Sequence, residues 1–95
     1  MAKRLVKVTI TYCAECGYEP QTLALAEALM KQFRDELTEI ELIPWHEGSF
    51  DVTVDGELVH SMFREGGFAT HEKVFEAVRR HQEDPAAIGV PKAGG

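Results

Sequence analysis

Leu5-Val6-Lys7-Val8-Thr9-Ile10-Thr11-Tyr12, running into Cys13-Ala14-Glu15-Cys16-Gly17 and then into a helical pattern from Pro20, is the stretch that decides the fold. Residues 5–12 are β-rich. Val6, Val8, Ile10 and Tyr12 share one face, and Leu5 on the other suggests a central strand. From Pro20 to Leu37 the period changes to that of a helix. Leu23, Ala26, Leu29 or Met30, Phe33 and Leu37 form one apolar stripe, while Glu27, Lys31 and Arg34 or Asp35 lie opposite. Pro20 suits a first turn, where its missing N–H costs nothing. The cysteine pair therefore falls where a strand hands over to a helix.

Two residues between cysteines let both sulfurs meet across one turn. Amide N–H groups at a helix N-terminus stabilise a thiolate, which is the nucleophile and the better leaving group. The position thus favours reversible disulfide exchange. Glu15 opposes this, because its negative charge disfavours a neighbouring thiolate. Two other readings stand beside it. The pair can be two small buried hydrophobes, against which the loop position argues. It can also bind zinc, but a structural site needs four ligands, and His46, His60, His71 and His81 offer no second pair at finger-like spacing. The reading taken is no metal.

Outward from the pair, Ile40-Glu41-Leu42-Ile43 reads as a short strand stopped by Pro44. Phe50 to Val54 alternates strictly, Asp55-Gly56 signals a hairpin turn, and Glu57 to Ser61 returns as the partner strand. Glu65-Gly66-Gly67 reads as a flexible loop. Thr70 caps a last helix reaching about His81, with Val74, Phe75 and Val78 inward and with His71 and His81 at the surface. Asp84-Pro85 ends it. The expected organisation is one domain over residues 1–84 and a flexible tail over 85–95. The order strand, helix, strand, hairpin, helix gives an α/β (α+β) fold. Its first strands form a right-handed parallel unit, the hairpin extends the sheet antiparallel, and two helices cover one or both faces.

The chain has 95 residues, 44% of them apolar and 27% charged, as in ordinary globular proteins. One domain of this size hides roughly 65% of its unfolded surface, enough for one modest core. Sixteen acids against ten bases give a formal charge of −6, which argues against a nucleic-acid reader. The N-terminal stretch lacks the apolar core and cleavage site of an export signal, and no window approaches the roughly 20 apolar residues of a membrane helix. The expectation is a cytoplasmic protein in a reducing compartment, where a close cysteine pair is not a permanent staple.

The longer motif is more specific than the pair. Tyr12-Cys13-Ala14-Glu15-Cys16-Gly17-Tyr18-Glu19-Pro20 resembles the start of the selenoprotein W-like (selenoprotein W/T/H) redox family. So does Gly48-Ser49-Phe50-Asp51-Val52-Thr53-Val54-Asp55-Gly56-Glu57-Leu58-Val59-His60-Ser61, and Gly67-Phe68 is similar to the family's Gly-Phe segment. The resemblance runs from about Val6 to His81. It implies a thioredoxin-like β-α-β-β-β-α fold with a four-stranded mixed sheet and a thiol-dependent redox role. In selenium-containing members selenocysteine occupies the position of Cys16, so this chain resembles a cysteine form. That assigns Cys13 and Cys16 as the redox pair, with Cys16 oxidised first and Cys13 resolving. Ala14, Glu15, Gly48, Ser49, Phe50, Gly66 and Gly67 are the accompanying candidates for substrate contact.

Two departures matter. Thioredoxins place a cis-proline before the strand flanking the active site, where this chain has Gly48-Ser49-Phe50, and Pro44 lies earlier. Relatives often carry basic residues after the His-Ser pair, where this chain has Met62-Phe63-Arg64-Glu65. The expected function is a small thiol–disulfide oxidoreductase or thiol-dependent antioxidant protein, without a bound cofactor, using glutathione or a thioredoxin-type reductant as thiol co-substrate. The alternative is a non-catalytic interaction module switched by the cysteine pair. Expected partners are thiol or disulfide proteins, or a second copy through the Met62-Phe63 region, with no nucleic acid and no membrane. His60 either relays protons to a thiol or, the reading taken, is a strand-end histidine that bonds backbone. Trp45 and His46 either line a groove or cap the core. Met62, Phe63 and Phe68 either form an exposed patch or tuck under the Gly66-Gly67 loop.

Overall fold

The computed structural model describes residues 4–83. The expected tail over 85–95, and the stop at Asp84-Pro85, lie outside them. Strand β1 (Val6–Cys13) is followed by helix α1 (Glu19–Phe33), a 3-10 turn (Arg34–Glu36), β2 (Leu37–Trp45), β3 (Phe50–Val54), β4 (Glu57–Ser61), the one-turn helix α2 (Met62–Glu65) and α3 (His71–Glu83). The four-stranded sheet has order β2-β1-β3-β4, with β1 parallel to β2 and the other neighbours antiparallel. This is the expected mixed α+β architecture, and β1 is central. The core joins Val6, Val8 and Ile10 of β1 to Phe50, Val52 and Val54 of β3. Leu25, Leu29 and Phe33 of α1 and Val74, Ala77 and Val78 of α3 complete it. Alternate residues of a strand face one side, so both helices share one sheet face.

Several boundaries differ from the sequence reading, each for a physical reason. Helix α1 buries Thr22, Leu25, Ala26, Leu29 and Phe33, not Leu23, which is 58% exposed. Thr22 can join the buried face because its hydroxyl donates to the Tyr18 carbonyl at 2.9 Å. Arg34 takes a φ of 50°, so the helix ends at Phe33, and Leu37 opens β2 instead of closing α1. Pro44 does not stop β2, which continues to Trp45 opposite Cys13. An edge strand turns part of its N–H row away from the sheet, so a missing donor is tolerated there. Met62 to Glu65 forms a helical turn ended by the left-handed Gly66, so Glu65, expected in the flexible loop with Gly66 and Gly67, belongs to a helix.

The hairpin forms as expected at Asp55-Gly56, with φ of 50° and 87°. Positive φ at both central residues matches the twist of the two strands, and glycine at the second makes it cheap. Thr70 caps α3, its hydroxyl accepting the Lys73 N–H at 3.2 Å.

His81 is the largest departure on α3, being fully buried instead of at the surface. It lies seven residues after Val74, on the same helical stripe. Its Nε2 donates to Glu57 Oε1 at 2.6 Å, and Arg80 Nη2 donates to the same oxygen at 2.9 Å. The His81 bond, ahead of Arg80, holds the Glu57 carboxyl below its ordinary value of 4.5. A carboxyl depressed in the folded state stabilises it above the unfolded value and loses that contribution as pH falls through the folded value. Stability should therefore decline as pH falls below about 4.5, and Glu57→Gln should flatten that limb. Urea midpoints at pH 6 and pH 3 check this; an unchanged difference between the two would refute it.

Candidate functional site

Topology puts the cysteines at the C-terminal end of β1. β2 lies on one side of β1 and β3 on the other, so the connection from Trp45 to Phe50 must cross that end. Such crossing points, beyond the carboxyl ends of strands, are where open sheets leave room for ligands. The crossing holds Cys13 by its backbone. The Cys13 N–H donates to the Ser49 carbonyl at 2.8 Å, and the Ala14 N–H to the Trp45 carbonyl at 2.9 Å. From the other side, the Tyr18 N–H donates to the Cys13 carbonyl at 3.3 Å. The turn between the cysteines closes with the Gly17 N–H on the Ala14 carbonyl at 3.1 Å.

Cys13 and Cys16 are joined as a disulfide across a Cα–Cα distance of 5.3 Å. The two sulfurs differ in access. Cys13 is fully buried, whereas Cys16 is exposed on the turn. Cys16 stands two residues before Tyr18, the N-cap of α1. Pro20 removes one N–H from the first turn and Glu19 adds a carboxylate there, so the field favouring a thiolate is partly offset.

The other sequence candidates separate into rim and support. Ala14 is half-buried and Glu15 exposed; Glu15 Oε2 accepts the Glu47 N–H at 3.3 Å, tying the turn to the crossing loop. Glu47 and Gly48 have φ of 64° and 70°, and this left-handed pair turns the loop over Cys13. Ser49 is buried, its hydroxyl donating to the His46 carbonyl at 2.9 Å. Phe50 is 1% exposed and belongs to the core beneath the site, so its ring offers no surface to a substrate. Gly66 and Gly67 lie on the β4 side, in the segment that leads to Phe68. The Phe68 ring meets both Tyr18 and Phe50 edge-on, with centroids 4.9 Å apart in each case.

His60 bonds backbone, as expected of it: its Nε2 donates to the Gly67 carbonyl at 2.6 Å. Its other partners come from later segments of the chain and were not legible in the sequence. Lys73 Nζ and Glu65 Oε1 each lie 3.1 Å from His60 Nδ1. Lys73 and then Arg64 hydrogen bond to Glu65 and hold its carboxyl down at about 2. Arg64 is thus engaged by its neighbour. Trp45 is 53% exposed and stacks on His46, so the two stand on the rim and do not cap the core. Met62 packs against the core while Phe63 is 68% exposed, which divides that segment between the two readings of it.

Glu15, Cys16 and Gly17 are all exposed on the turn. A cavity of about 390 Å³ lies between β4 and α3, lined by residues such as Leu58, Val59 and Ala77, and neither cysteine reaches it. Among the described residues no three His, Cys, Asp or Glu side chains come together to hold a metal ion. The arrangement leaves one sulfur of the bonded pair exposed and the other buried. Glu15 adjoins Cys16 in the chain, and a carboxylate beside a thiol disfavours its thiolate. In protein reduced beforehand, Glu15→Gln should raise the rate of Cys16 alkylation at pH 7 about two- to threefold, less at high salt. Iodoacetamide kinetics followed by mass spectrometry check this, and a rate unchanged at low salt would refute it.

Among the described residues no helix is long and apolar enough to cross a membrane. The Rdx family matches residues 7–80. Selenoprotein W of Mus musculus is 41% identical over 69 residues, covering 72% of this chain and 78% of that protein. Migration and invasion enhancer 1 of Bos taurus is 36% identical over 75 residues, covering 79% of this chain and 64% of that protein, so the match spans under two thirds of its length. In fold, the crystal structure of a selenoprotein W-related protein from Vibrio cholerae superposes with a TM-score of 0.80 at 24% identity, covering 84% of this chain and all of that one. The strand–CxxC–helix unit, the crossing loop and the sequence matched around both place this chain in the selenoprotein W-like Rdx family, to which it belongs.

Proposed function

We propose that this chain is a thiol–disulfide redox protein in which Cys13–Cys16 opens and closes, with glutathione or a thioredoxin-type dithiol as reductant. The observation that carries the reading is the unequal access of two bonded sulfurs on an otherwise open turn. An incoming thiolate attacks Cys16 Sγ, the Cys13–Cys16 bond breaks, and the electron pair leaves on Cys13 Sγ, which takes up a proton. A second thiolate then attacks the external sulfur of the mixed disulfide and releases the Cys16 thiolate. Two external thiols are oxidised and one protein disulfide is reduced. In the opposite direction a peroxide or a partner disulfide oxidises Cys16, and Cys13 displaces water or the partner thiol. Such a cycle suits a reducing compartment such as the cytoplasm.

The absence of proline before β3 supports a protein partner less demanding of backbone pairing than a thioredoxin substrate. The Ser49 carbonyl already accepts the Cys13 N–H, so it has less to offer an incoming strand. The test is a titration across glutathione buffers with wild type, Cys13→Ser and Cys16→Ser, counting free thiols by alkylation. An intramolecular disulfide in wild type and a glutathione adduct in Cys13→Ser support the reading. It fails if wild type forms no such bond and neither variant forms an adduct.

A non-catalytic module switched by the same pair is the second reading, favoured by the exposed Phe63 and Trp45 on the same end of the sheet. A homodimer through this region would lean on Phe63, because Met62 is taken up by the core. Phe63→Asp should then shift the sedimentation of the oxidised protein toward monomer; unchanged sedimentation removes the dimer.

A further inference from the structure

We infer that His60 is a positioning residue of the redox site, acting through the Gly67-Phe68 segment on the backbone that holds Cys13. The inference rests on the redox reading above. Three links make the path. First, the Gly67 carbonyl can only accept a hydrogen bond, so His60 Nε2 carries the proton of the 2.6 Å contact. His60 is 4% exposed, in the sheet opposite Val52, so this anchor is rigid. Its Nδ1 has Lys73 Nζ and Glu65 Oε1 at 3.1 Å, one able to donate to it and the other to accept from it. The ring is therefore held whichever protonation state Nδ1 adopts, and the bond to Gly67 survives both.

Second, the anchored Gly67 seats Phe68, whose ring braces Tyr18 and Phe50 at equal centroid distances of 4.9 Å. Third, these two residues flank the hydrogen bonds of Cys13. The Tyr18 N–H donates to the Cys13 carbonyl, and Ser49, immediately before Phe50, accepts the Cys13 N–H. One aromatic ring thus presses on both sides of the backbone clamp around the buried sulfur. Holding Cys13 in place raises its effective concentration at Cys16, which favours the closed disulfide over the mixed one.

The test is the equilibrium constant for closing Cys13–Cys16 against glutathione, measured for wild type, His60→Leu, His60→Gln and Phe68→Ala after acid quench and alkylation. Thermal melts of the oxidised proteins show which variants are folded. His60→Leu and Phe68→Ala should each lower the constant about tenfold, equivalent to about 30 mV for a two-electron couple. His60→Gln keeps an N–H donor and should lie nearer wild type than His60→Leu. A merely structural role would lower the melting temperature without ordering the constants in this way. If His60→Leu does not fold, Phe68→Ala, altered at a partly exposed ring, decides the matter. Folded variants whose constants match a wild type that does exchange overturn this inference alone. A wild type that does not exchange overturns it together with the redox reading.

Discussion

Replacing Cys13 by Ser should leave a protein that is trapped as a mixed disulfide at Cys16, whereas replacing Cys16 by Ser should leave one that hardly reacts. In the first variant the exposed sulfur accepts glutathione and no internal thiol is left to displace it. In the second the remaining sulfur is fully buried, and its backbone is hydrogen-bonded to Ser49 and Tyr18. Reagents reach such a group only through local opening. If that opening costs ~3 kcal/mol, alkylation of Cys13 in Cys16→Ser runs roughly 100-fold slower than alkylation of Cys16 in Cys13→Ser. Parallel iodoacetamide time courses under native conditions measure the ratio, and denaturant should abolish it. A faster Cys13 would reverse the assignment of attacker and resolver.

Phe50→Ala should be the most damaging single substitution near the site, although its ring never meets solvent. Phe50 is 1% exposed, shares the core with Val52 and Leu25, and meets Phe68 edge-on. Removing a buried phenyl ring loses its transfer free energy and leaves a cavity, about 3–5 kcal/mol together. For a domain of this size that corresponds to a fall in melting temperature of at least about 12 °C. The redox equilibrium should move as well, because Phe50 follows the residue whose carbonyl holds the Cys13 N–H. Phe50→Leu keeps most of the volume and should recover much of the stability. Differential scanning calorimetry of the three proteins checks the order. An alanine variant within about 1 kcal/mol of wild type would mean that the Phe50 ring does not anchor the core beneath the site.

The acidic surroundings of Cys16 bear on the proposed reduction by glutathione. Glu15 adjoins Cys16 in the chain, Glu19 opens the helix that follows and Glu47 meets Glu15 through its N–H, while Arg64 and Lys73 on the β4 side are bonded to Glu65. Glutathione carries a net negative charge, so its approach is slowed by a field that salt screens. The rate of disulfide opening by glutathione should therefore rise with ionic strength.

The sequence alone determined the strand that leads into the cysteine pair, the helix that follows, the hairpin at Asp55-Gly56 and the inward Val74 and Val78 of the last helix. Each is a local pattern: alternation, helical period, a turn dipeptide. The pair itself was legible because its spacing and position are local too. What required the tertiary structure was everything set by neighbours distant in sequence. α1 turned its buried face from Leu23 to Thr22 once docked, and β2 ran through Pro44 because it became an edge. His81 looked polar enough for the surface until Glu57 came to meet it. The most consequential case is in β4. Regular pairing from the hairpin turn would set Val59 opposite Val52 and turn His60 outward. A bulge at Val59 instead pairs His60 with Val52 and buries it beside Lys73 and Glu65. One extra residue in a strand exchanges its two faces, and no pattern within the strand announces it. The unequal exposure of the two sulfurs arises in the same way, from the loop between β2 and β3 closing over the end of β1, a contact between residues more than thirty positions apart.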